Sequence, residues 1–310
     1  MKSLISKLST ALNNPREITR YLLYKLAPIC PDSIYLKMLF RFHMGTKLNL
    51  DTPQTFCEKL QWLKLYNRKP EYTQMVDKYE AKKYVANIIG EEYIIPTLGV
   101  WDKFDDIDFD ILPNRFVLKT THGGGNTGVV ICKDKSTFDI ASAKKKLNKS
   151  LRNSIYLKYR EWPYKDVARR IVAEQYIEVE GQSDLPDYKF YCFNGVPKYC
   201  QVIRNRNTKE TIDFYDIEWN HMPFAGLNPI AKNGEKTIDK PSLLNQMLTI
   251  CNKLTNNIPF ARIDLYLTND KIYFGEITFF PASGIGRFTP IDWDHKLGDL
   301  IELPIKMGKT

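Results

Sequence analysis

The spacing of hydrophobic positions along the chain changes near residue 90. Before that point, apolar residues recur every three or four positions over 32–44, 55–66 and 74–89, which is the spacing of helices with one buried face. Asp32 stands where a helix cap is expected, and Gly90 stands where the third helix should end. Beyond residue 90, the apolar residues fall in short runs separated by turn residues, as strands do. The pattern therefore predicts an α+β fold, with helices early and antiparallel sheet late.

The later part of the chain divides into short predicted elements joined by turns. Predicted strands lie at 116–119, 128–132, 171–177, 188–193, 197–204, 211–215, 261–268 and 272–278. Further helices are expected at 140–149, 164–170 and 241–254. A glycine-rich loop joins the first two strands as a hairpin, Asn194-Gly195 signals a second hairpin, and Asn269-Asp270-Lys271 turns the last one.

Composition then limits the classes of protein to which the chain can belong. With 310 residues, of which 43% are hydrophobic and 13% aromatic, it is expected to form one or two globular domains. Its six cysteines show no paired Cys-x-x-Cys spacing and no secretory signal precedes them, so we expect reduced thiols in a cytoplasmic protein. The formal charge of +9 indicates a basic surface, but no nucleic-acid-binding motif accompanies it, so a nucleic-acid partner is not expected.

The first 27 residues have apolar positions at helical spacing with lysines between them. Packing of this segment onto the rest of the protein is the favoured interpretation, and peripheral contact with the inner face of a membrane is the alternative. No apolar run approaches the roughly 20 residues that a membrane-spanning helix needs.

A lysine and a group of glycines form the first candidate site. Lys119 ends a predicted strand, and Gly123, Gly124 and Gly125 follow it in a turn before the next strand. Glycines let backbone N–H groups approach phosphate oxygens, and the lysine would point into the space that the turn encloses. The pattern is not a P-loop, because no Gly-Lys-Ser/Thr ends it. An ordinary glycine hairpin explains the pattern equally well.

The segment 172–178 is the second candidate, a strand that carries acidic residues towards its end. Its backbone could pair with the edge of an adenine, with Glu174 accepting from the exocyclic amine. By itself, however, the segment indicates no more than a strand.

Two acidic residues near the end of the chain, Asp264 and Glu276, form the third candidate site. Strand alternation puts Arg262 and Asp264 on one face of a strand, and Glu276 and Thr278 on one face of the next. A three-residue turn would place Asp264 opposite Glu276, whereas a two-residue turn would place them on opposite faces of the sheet. Because inward carboxylates are costly without a cation, we favour magnesium with ATP phosphates over an ion pair of Arg262 with one acid.

These constellations, in this order, resemble the TupA-like branch of the ATP-grasp superfamily over roughly residues 30 to 300. The resemblance lies in the segments 51–66, 77–85, 116–119, 187–195, 262–264 and 275–281. It implies two α+β subdomains that clasp ATP, with a mainly helical N-terminal region. The implied divisions are 1–95 for the helical region, 96–173 for a small subdomain with the glycine lid, and 174–310 for a larger subdomain with the metal site.

The resemblance also implies roles for particular residues toward ATP. Lys78 and Lys119 would hold the phosphates beneath the lid of Gly123 to Gly125. The remaining nucleotide contacts would come from the adenine hinge, from a ribose ligand and from a further lysine: Glu174, Tyr176, Ile177, Asp187 and Lys189.

The implied metal ligands are Asp264 and Glu276, and Arg262 would act with Lys119 on the transferring phosphoryl group. Most ATP-grasp ligases have asparagine two residues after the metal-binding glutamate, whereas this chain has Thr278, a weaker magnesium ligand. Ser283 and Gly284 lie where the family has a substrate loop and are candidates for contacting the acceptor.

The activity that the resemblance implies is ligation of a carboxylate to an amine through an acyl-phosphate, with ATP and Mg²⁺. In the polysaccharide branch, the partners would be an anionic sugar or polysaccharide precursor and an amino acid, joined as an amide in bacterial capsule, O-antigen or teichuronopeptide synthesis. A glycosyltransferase of the same pathway is the alternative, for which Asp292-Trp293-Asp294 would be the metal motif, although we favour a helix cap there. A nucleotide sensor with a degraded site is a third hypothesis, against which the presence of Lys119, Asp264 and Glu276 speaks.

Overall fold

The computed structural model describes residues 15–178, 187–204, 210–227, 232–234, 237–268 and 271–305. The first part of the proposed membrane segment, 1–14, and the turn residues Asn269 and Asp270 lie outside these described residues. The fold is α+β, as predicted. None of the helices in the described ranges is long and apolar enough to cross a membrane.

Helices dominate the first 90 described positions and return between and after the strands. The α-helices are α1 Pro15–Leu26, α2 Asp32–Met44, α3 Phe56–Tyr66, α4 Glu71–Val76, α5 Glu80–Ile89, α6 Ile140–Leu151, α7 Ile155–Tyr159, α8 Leu244–Leu254 and α9 Asp292–Asp299. Short 3₁₀ turns that border the site are Gly125–Gly128, Trp162–Tyr164 and Pro281–Gly284.

The strands form two main sheets and one short pair. They are β1 Thr97–Trp101, β2 Phe116–Thr120, β3 Val129–Cys132, β4 Ile171–Gln175, β5 Asp187–Phe193, β6 Val196–Arg204, β7 Thr211–Asp216, β8 His221–Met222, β9 Ala225–Gly226, β10 Phe260–Thr268, β11 Lys271–Thr278 and β12 Phe288–Thr289. The first sheet has the order β1-β4-β2-β3, the second has the order β11-β10-β5-β6-β7-β8, and β12 pairs with β9.

Each main sheet has its own hydrophobic core. Phe116, Leu118 and Ala173 of the four-stranded sheet pack with Leu147 of α6. The six-stranded sheet packs against α3 and α8 in a larger cluster that is rich in aromatic rings. In that cluster, the ring of Phe56 contacts the ring of Phe260 edge to face, with their centroids 4.9 Å apart.

Helix α3 shows how local sequence and packing agree. The Thr55 hydroxyl accepts from the Glu58 backbone N–H, and the Glu58 carboxylate accepts from the Thr55 N–H, which is a complete capping box. The helix buries residues on more than one side, including Gln61 and Lys64, which have no exposed surface. This helix therefore lies in the centre of the protein, and its Gln61 and Lys64 side chains donate to carbonyl oxygens of the turn Pro281–Gly284.

The helix predicted over 74–89 is two helices, α4 and α5, separated by a break at Asp77. Asp77 Oδ1 accepts from the backbone N–H groups of Tyr79 and Glu80, at 2.8 and 3.2 Å. These bonds satisfy N–H groups at the start of α5 and leave Lys78 in the break. The Lys78 N–H donates to Thr121 O at 3.0 Å, which ties the break to the end of β2.

The pairing of β10 with β11 in the last hairpin shows which of the two registers left open by the sequence is present. The strands pair as far as Thr268 with Lys271, so Lys271 belongs to β11 and not to a three-residue turn. A β-bulge then leaves Gly275 as an extra residue, and Asp264 pairs with Glu276. A Cβ at Gly275 would lie 2.9 Å from Asp264 O and 3.0 Å from Tyr266 Cε2, so the bulge requires glycine.

Most other predicted elements are confirmed, and two further predictions are wrong. Residues 165–170 form no helix, because the backbone at Arg170 bonds Thr121 beside β2 instead. Asp32 does not cap α2, since its carboxylate binds Arg68 and Arg160. Strand β1 and helix α7 were not predicted. All six cysteines have free thiols, as expected. The divisions at 95 and 173 stay a prediction.

Candidate active site

A cleft of about 1040 Å³ is lined by residues of both main sheets. Val117 and Lys119 of β2 contribute from the four-stranded sheet, while Lys189, Asp264 and Glu276 contribute from the six-stranded sheet. Every residue that the sequence proposed for the site lines this cleft except Gly284. Residues far apart in the chain are thus brought to one place.

Two lysines approach the cleft from the side of the four-stranded sheet. Lys78 Nζ donates to Gly123 O at 2.6 Å and lies 3.3 Å from Glu276 Oε2. Lys119 Nζ lies 2.5 Å from Glu174 Oε2. Lys78 therefore connects the glycine turn to the acidic residues of the other sheet.

Glu174 is buried between two lysines. Its carboxylate contacts Lys82 Nζ at 2.9 Å through Oε1, and contacts Lys119 through Oε2. Burial by itself raises the pKa of Glu174, but the ammonium groups of Lys119 and Lys82 outweigh it and lower the pKa to about 2. The side chain lines the cleft, yet both of its oxygens are engaged by lysines, so its proposed contact with adenine stays a prediction.

The glycine turn follows β2 directly. Gly123 N–H donates to Thr120 O at 3.1 Å, and the Thr120 hydroxyl lies 2.8 Å from the Ser150 hydroxyl beneath the turn. A Cβ at Gly123 would lie 2.4 Å from Thr120 Oγ1, so no larger residue fits without displacing this pair. Gly123, Gly124 and Gly125 together present backbone to the cleft.

The proposed adenine hinge begins where β4 ends, at Gln175. Tyr176 and Ile177 follow the strand and line the cleft. The Arg115 guanidinium lies 4.6 Å from the centroid of the Tyr176 ring and forms an ion pair with Glu178. These contacts hold the segment after β4 beside the start of β2.

The acidic pair lies on β10 and β11. Arg262 Nε donates to Asp264 Oδ1 at 2.6 Å, and Arg262 Nη2 donates to Glu276 Oε1 at 3.2 Å and to Thr278 Oγ1 at 3.1 Å. Arg262 thus contacts all three proposed metal ligands. The ion pair that the sequence left as the alternative is present, and it includes both acids.

Lys189 lies on the neighbouring strand β5 and is also buried. Its Nζ contacts Asp187 Oδ2 at 2.8 Å and also bonds Asp264. The cleft floor is therefore an alternating set of positive and negative side chains, in which every charge has an opposite neighbour. Such a set is the arrangement that makes buried charges tolerable.

Glu276 remains charged in this network. Burial raises its pKa, but Lys78, Arg262 and Lys189 outweigh that effect and hold the pKa well below its usual range. Its side chain is 31% exposed, whereas that of Asp264 is 1% exposed. Glu276 is thus the more accessible of the two carboxylates to a cation that enters the cleft.

The donor set suits magnesium. Asp264, Glu276 and Thr278 offer only oxygen atoms, and Mg²⁺ is commonly held by one or two carboxylates together with phosphate oxygens. Within the described ranges, no group of three or more histidine, cysteine or acidic side chains forms a metal cage. The residues therefore fit a magnesium ion shared with a nucleotide, and this assignment stays a prediction.

The proposed acceptor residues lie in a strained turn after β11. Ala282, Ser283 and Gly284 have φ values of 45°, 55° and 60° in succession, two of them at residues with a side chain. Ser283 Oγ donates to Glu161 Oε1 at 2.5 Å and lines the cleft. Gly284 faces α3 instead, where its carbonyl accepts from Gln61 Nε2 at 2.7 Å.

Two buried charged residues that bond Ser283, Glu161 and Lys64, were not predicted from the sequence. Glu161 is 6% exposed and Lys64 is fully buried. Lys64 occurs in a predicted amphipathic helix, where a lysine ordinarily faces solvent, and Glu161 precedes a short 3₁₀ turn with no motif around it. No local signal in the sequence identifies either residue.

The aspartates of the alternative glycosyltransferase hypothesis lie elsewhere. Asp292 begins α9, preceded by Ile291, and pairs with Lys296 one turn later. Asp294 Oδ1 accepts from the Cys57 backbone N–H at 2.9 Å. The helix-cap interpretation is therefore wrong in detail, and neither aspartate lines the cleft.

Residues 58–302 match the family described as TupA-like ATPgrasp. No match to the chain was found among curated proteins.

Solved structures with a similar fold include two ligases and an ATP-grasp domain protein. The D-alanine–D-alanine ligase from Bacillus anthracis complexed with ATP is 17% identical, with a TM-score of 0.38 over 66% of this chain and 53% of its own. That from Helicobacter pylori is 14% identical, with a TM-score of 0.43 over 81% of this chain and 70% of its own. The RimK domain protein ATP-grasp from Sphaerobacter thermophilus is 12% identical, with a TM-score of 0.41 over 76% and 70%. The chain thus spans little more than half of the Bacillus anthracis ligase.

Proposed function

The chain belongs to the TupA-like ATP-grasp family, and on that premise we propose that it is an ATP- and magnesium-dependent ligase. The reaction joins a carboxylate to an amine, and ADP and phosphate are the other products. The proposed carboxylate is a uronic acid and the proposed amine is an amino acid, in the synthesis of a bacterial surface polysaccharide.

The observation that carries the proposal is the convergence of four cations and two acids in one cleft. Lys78, Lys119, Lys189 and Arg262 line the same space as Asp264 and Glu276. A triphosphate is highly charged, and fixed cations in a partly enclosed cleft stabilise that charge more than water-exposed ones would. An ion-pair network that served only to stabilise the fold would not need to surround a cleft of this size beside a glycine turn.

The residues have distinct tasks in this proposal. Lys78 and Lys119 bind phosphate oxygens under the backbone of the glycine turn, while Tyr176 and Ile177 offer backbone groups to adenine. Glu174 orients Lys119, to which it is bonded. Arg262 neutralises charge on the phosphoryl group while it is transferred. Asp187 and Lys189 border the ribose and phosphates.

Magnesium would be held by Asp264, Glu276 and Thr278, and when bound it supplies positive charge to the phosphate oxygens. A carboxylate oxygen of the first substrate attacks the γ-phosphorus, the bond from that phosphorus to the bridging oxygen breaks, and ADP leaves. The amine then attacks the acyl carbon and phosphate leaves. The chain's part is to hold these groups in line and to balance their charge.

The test is a survey of substrates with purified protein. ATP, Mg²⁺, glucuronate or galacturonate, and a panel of amino acids are combined, and ADP and phosphate are measured. ADP formation that requires both a carboxylate and an amine supports the ligase. Formation of AMP, or a requirement for a nucleotide sugar without ATP turnover, contradicts it and favours the glycosyltransferase.

Two variants connect the activity to the site. Lys119→Ala and Glu276→Ala should each abolish ADP formation while the circular dichroism spectrum stays that of the wild type. Lys145→Ala, at an exposed position of α6, is the control and should keep full activity. Full activity in either cleft variant would refute the site assignment.

We also propose that α1 contacts the inner face of a membrane. Tyr21, Leu22 and Leu26 of α1 are 60%, 54% and 42% exposed, and Ile29 beyond it is 80% exposed. Lys25 of the same helix is exposed and offers positive charge for anionic lipid headgroups. This contact would keep a cytoplasmic enzyme beside a lipid-linked sugar acceptor.

A further inference from the structure

A buried acidic residue lines the cleft beside the turn Pro281–Gly284. Glu161 lies between α7 and the turn Trp162–Tyr164 and is 6% exposed. Its Oε1 accepts from Ser283 Oγ at 2.5 Å. Its Oε2 has no hydrogen-bond partner within the described part of the chain, and the side chain lines the cleft. One carboxylate oxygen is therefore available to a ligand.

Lys64, a buried cation that bonds the same residue, Ser283, does not compete for that ligand. Lys64 Nζ donates to Tyr159 O and Ser283 O, each at 2.8 Å, and to Gln61 Oε1 at 3.0 Å. An ammonium group has three N–H donors, so all of them are used within the protein. Lys64 consequently holds the turn at Ser283 and balances the charge of Glu161, but it has no donor left for a substrate carboxylate.

Glu161 lines the same cleft as the proposed reacting groups. Burial raises the pKa of Glu161 and the Glu276 carboxylate adds to that rise, whereas Lys64 and the hydrogen bond from Ser283 lower it. Tyr164, which also lines the cleft, is within the electrostatic reach of Glu161, Glu276 and Arg262. A group bound at Glu161 would therefore share one cleft with Ser283 of the strained turn and with the proposed site of phosphoryl transfer.

The negative charge of Glu161 decides which chemical groups can bind beside it in the cleft. A carboxylate substrate would be repelled by Glu161 and would find no free donor on Lys64. A positively charged nitrogen would gain a charge-assisted hydrogen bond from the open oxygen. We propose that Glu161 binds the ammonium group of the amine substrate and accepts a proton from it, an inference that rests on the proposed ligase function.

The amide-forming step accounts for both protons that the ammonium nitrogen loses. The ammonium nitrogen gives one proton to the Glu161 carboxylate, and its freed electron pair forms the bond to the acyl carbon. The bond from that carbon to the phosphate oxygen breaks, and the phosphate leaves with the second proton lost by the nitrogen. Glu161 then returns its proton to water.

Glu161→Gln tests the inference because glutamine keeps the shape and can still accept from Ser283. The variant and the wild type are supplied with ATP, Mg²⁺ and glucuronate or galacturonate, and with either hydroxylamine or one of L-alanine, L-lysine and L-glutamate. Hydroxylamine is uncharged at neutral pH and needs no base. We expect hydroxamate formation to match the wild type, while kcat/KM for the amino acids falls by about 100-fold. Glu218→Gln, at an exposed residue, should change neither rate.

The outcomes separate this inference from the proposed function. If the wild type forms neither ADP nor hydroxamate with any uronate, the proposed function fails and the inference falls with it. If hydroxamate and amino-acid rates fall together in Glu161→Gln, or neither falls, the inference alone is overturned.

A second measurement needs no turnover. The three amino acids are titrated calorimetrically into wild type and Glu161→Gln with Mg²⁺ and a nonhydrolysable ATP analogue. Binding that weakens at least tenfold in the variant supports the subsite. Equal binding to both proteins, or binding to neither, overturns it.

Discussion

Replacing Glu174 by glutamine removes a negative charge that two lysines share in the wall of the cleft. Glu174 is 4% exposed, and its oxygens contact Lys82 Nζ at 2.9 Å and Lys119 Nζ at 2.5 Å. Glutamine has nearly the same shape, and its carbonyl oxygen can still accept from one of the two lysines. The variant therefore removes the negative charge together with one of the two hydrogen bonds.

The size of the effect follows from the pKa of Glu174. The pKa falls from an ordinary 4.5 to about 2 in the folded protein, because the two lysines outweigh burial. At about 1.4 kcal/mol for each unit of pKa shift, the lowered pKa of Glu174 corresponds to about 3 kcal/mol of folding free energy at neutral pH. Since the folded pKa is lowered, the contribution is complete above pH 4.5 and is lost as the pH falls toward 2. At pH 3, about 2 kcal/mol of it should be gone.

The assay is urea unfolding of wild type and Glu174→Gln at pH 7 and at pH 3. We expect the variant to be less stable by about 3 kcal/mol at pH 7, and the difference to shrink at pH 3. Glu178→Gln is the matched control, because Glu178 is paired with Arg115 at an exposed position and should lose no measurable stability. Equal stability of wild type and Glu174→Gln at pH 7, or a difference that does not depend on pH, would refute the reasoning.

Three further predictions concern the bulge, the metal and the membrane. Gly275→Ala should lower ADP formation about 100-fold in a coupled assay, because the added Cβ meets the β10 backbone and displaces the acidic pair. Wild-type activity of this variant would contradict the role of the bulge. Thr278→Asn should lower the Mg²⁺ concentration for half-maximal ADP formation about tenfold, since an amide oxygen is the better ligand; an unchanged Mg²⁺ dependence would argue against metal binding at this position. Leu22→Glu should reduce cosedimentation with phosphatidylglycerol vesicles more than tenfold, whereas Ile291→Glu, at an equally exposed residue of another surface, should leave it unchanged. If wild type does not cosediment, or both variants behave alike, α1 is not the contact.

Much of the secondary structure could be predicted because its causes are local. The capping box at Thr55 and Glu58 marks the start of α3 within four residues of sequence, and Asn194-Gly195 adopts the positive φ values that its hairpin needs. Alternation along β10 put Arg262 and Asp264 on one face, and their side chains do bond each other. The family resemblance, carried by several such segments in order, is confirmed by the match over residues 58–302.

Relations between distant segments could not be predicted, because they depend on packing. The turn at the end of β10 and β11 alone would have separated Asp264 from Glu276, and only the bulge at Gly275 restores their pairing. The break at Asp77 looks like ordinary helix in the sequence, yet it directs Lys78 to the glycine turn.

The sequence by itself thus determined the strands on which the proposed site residues Lys119, Asp264 and Glu276 stand, because strand periodicity and turn preferences act over a few neighbouring residues. The tertiary structure alone decided how these charges are shared. It buried Lys64 on a helix where a lysine would ordinarily meet water, placed Glu161 against Ser283, and closed Glu174 between two lysines. Desolvation and the nearness of opposite charges set those outcomes, and both arise only when α3, α7 and the two sheets come together.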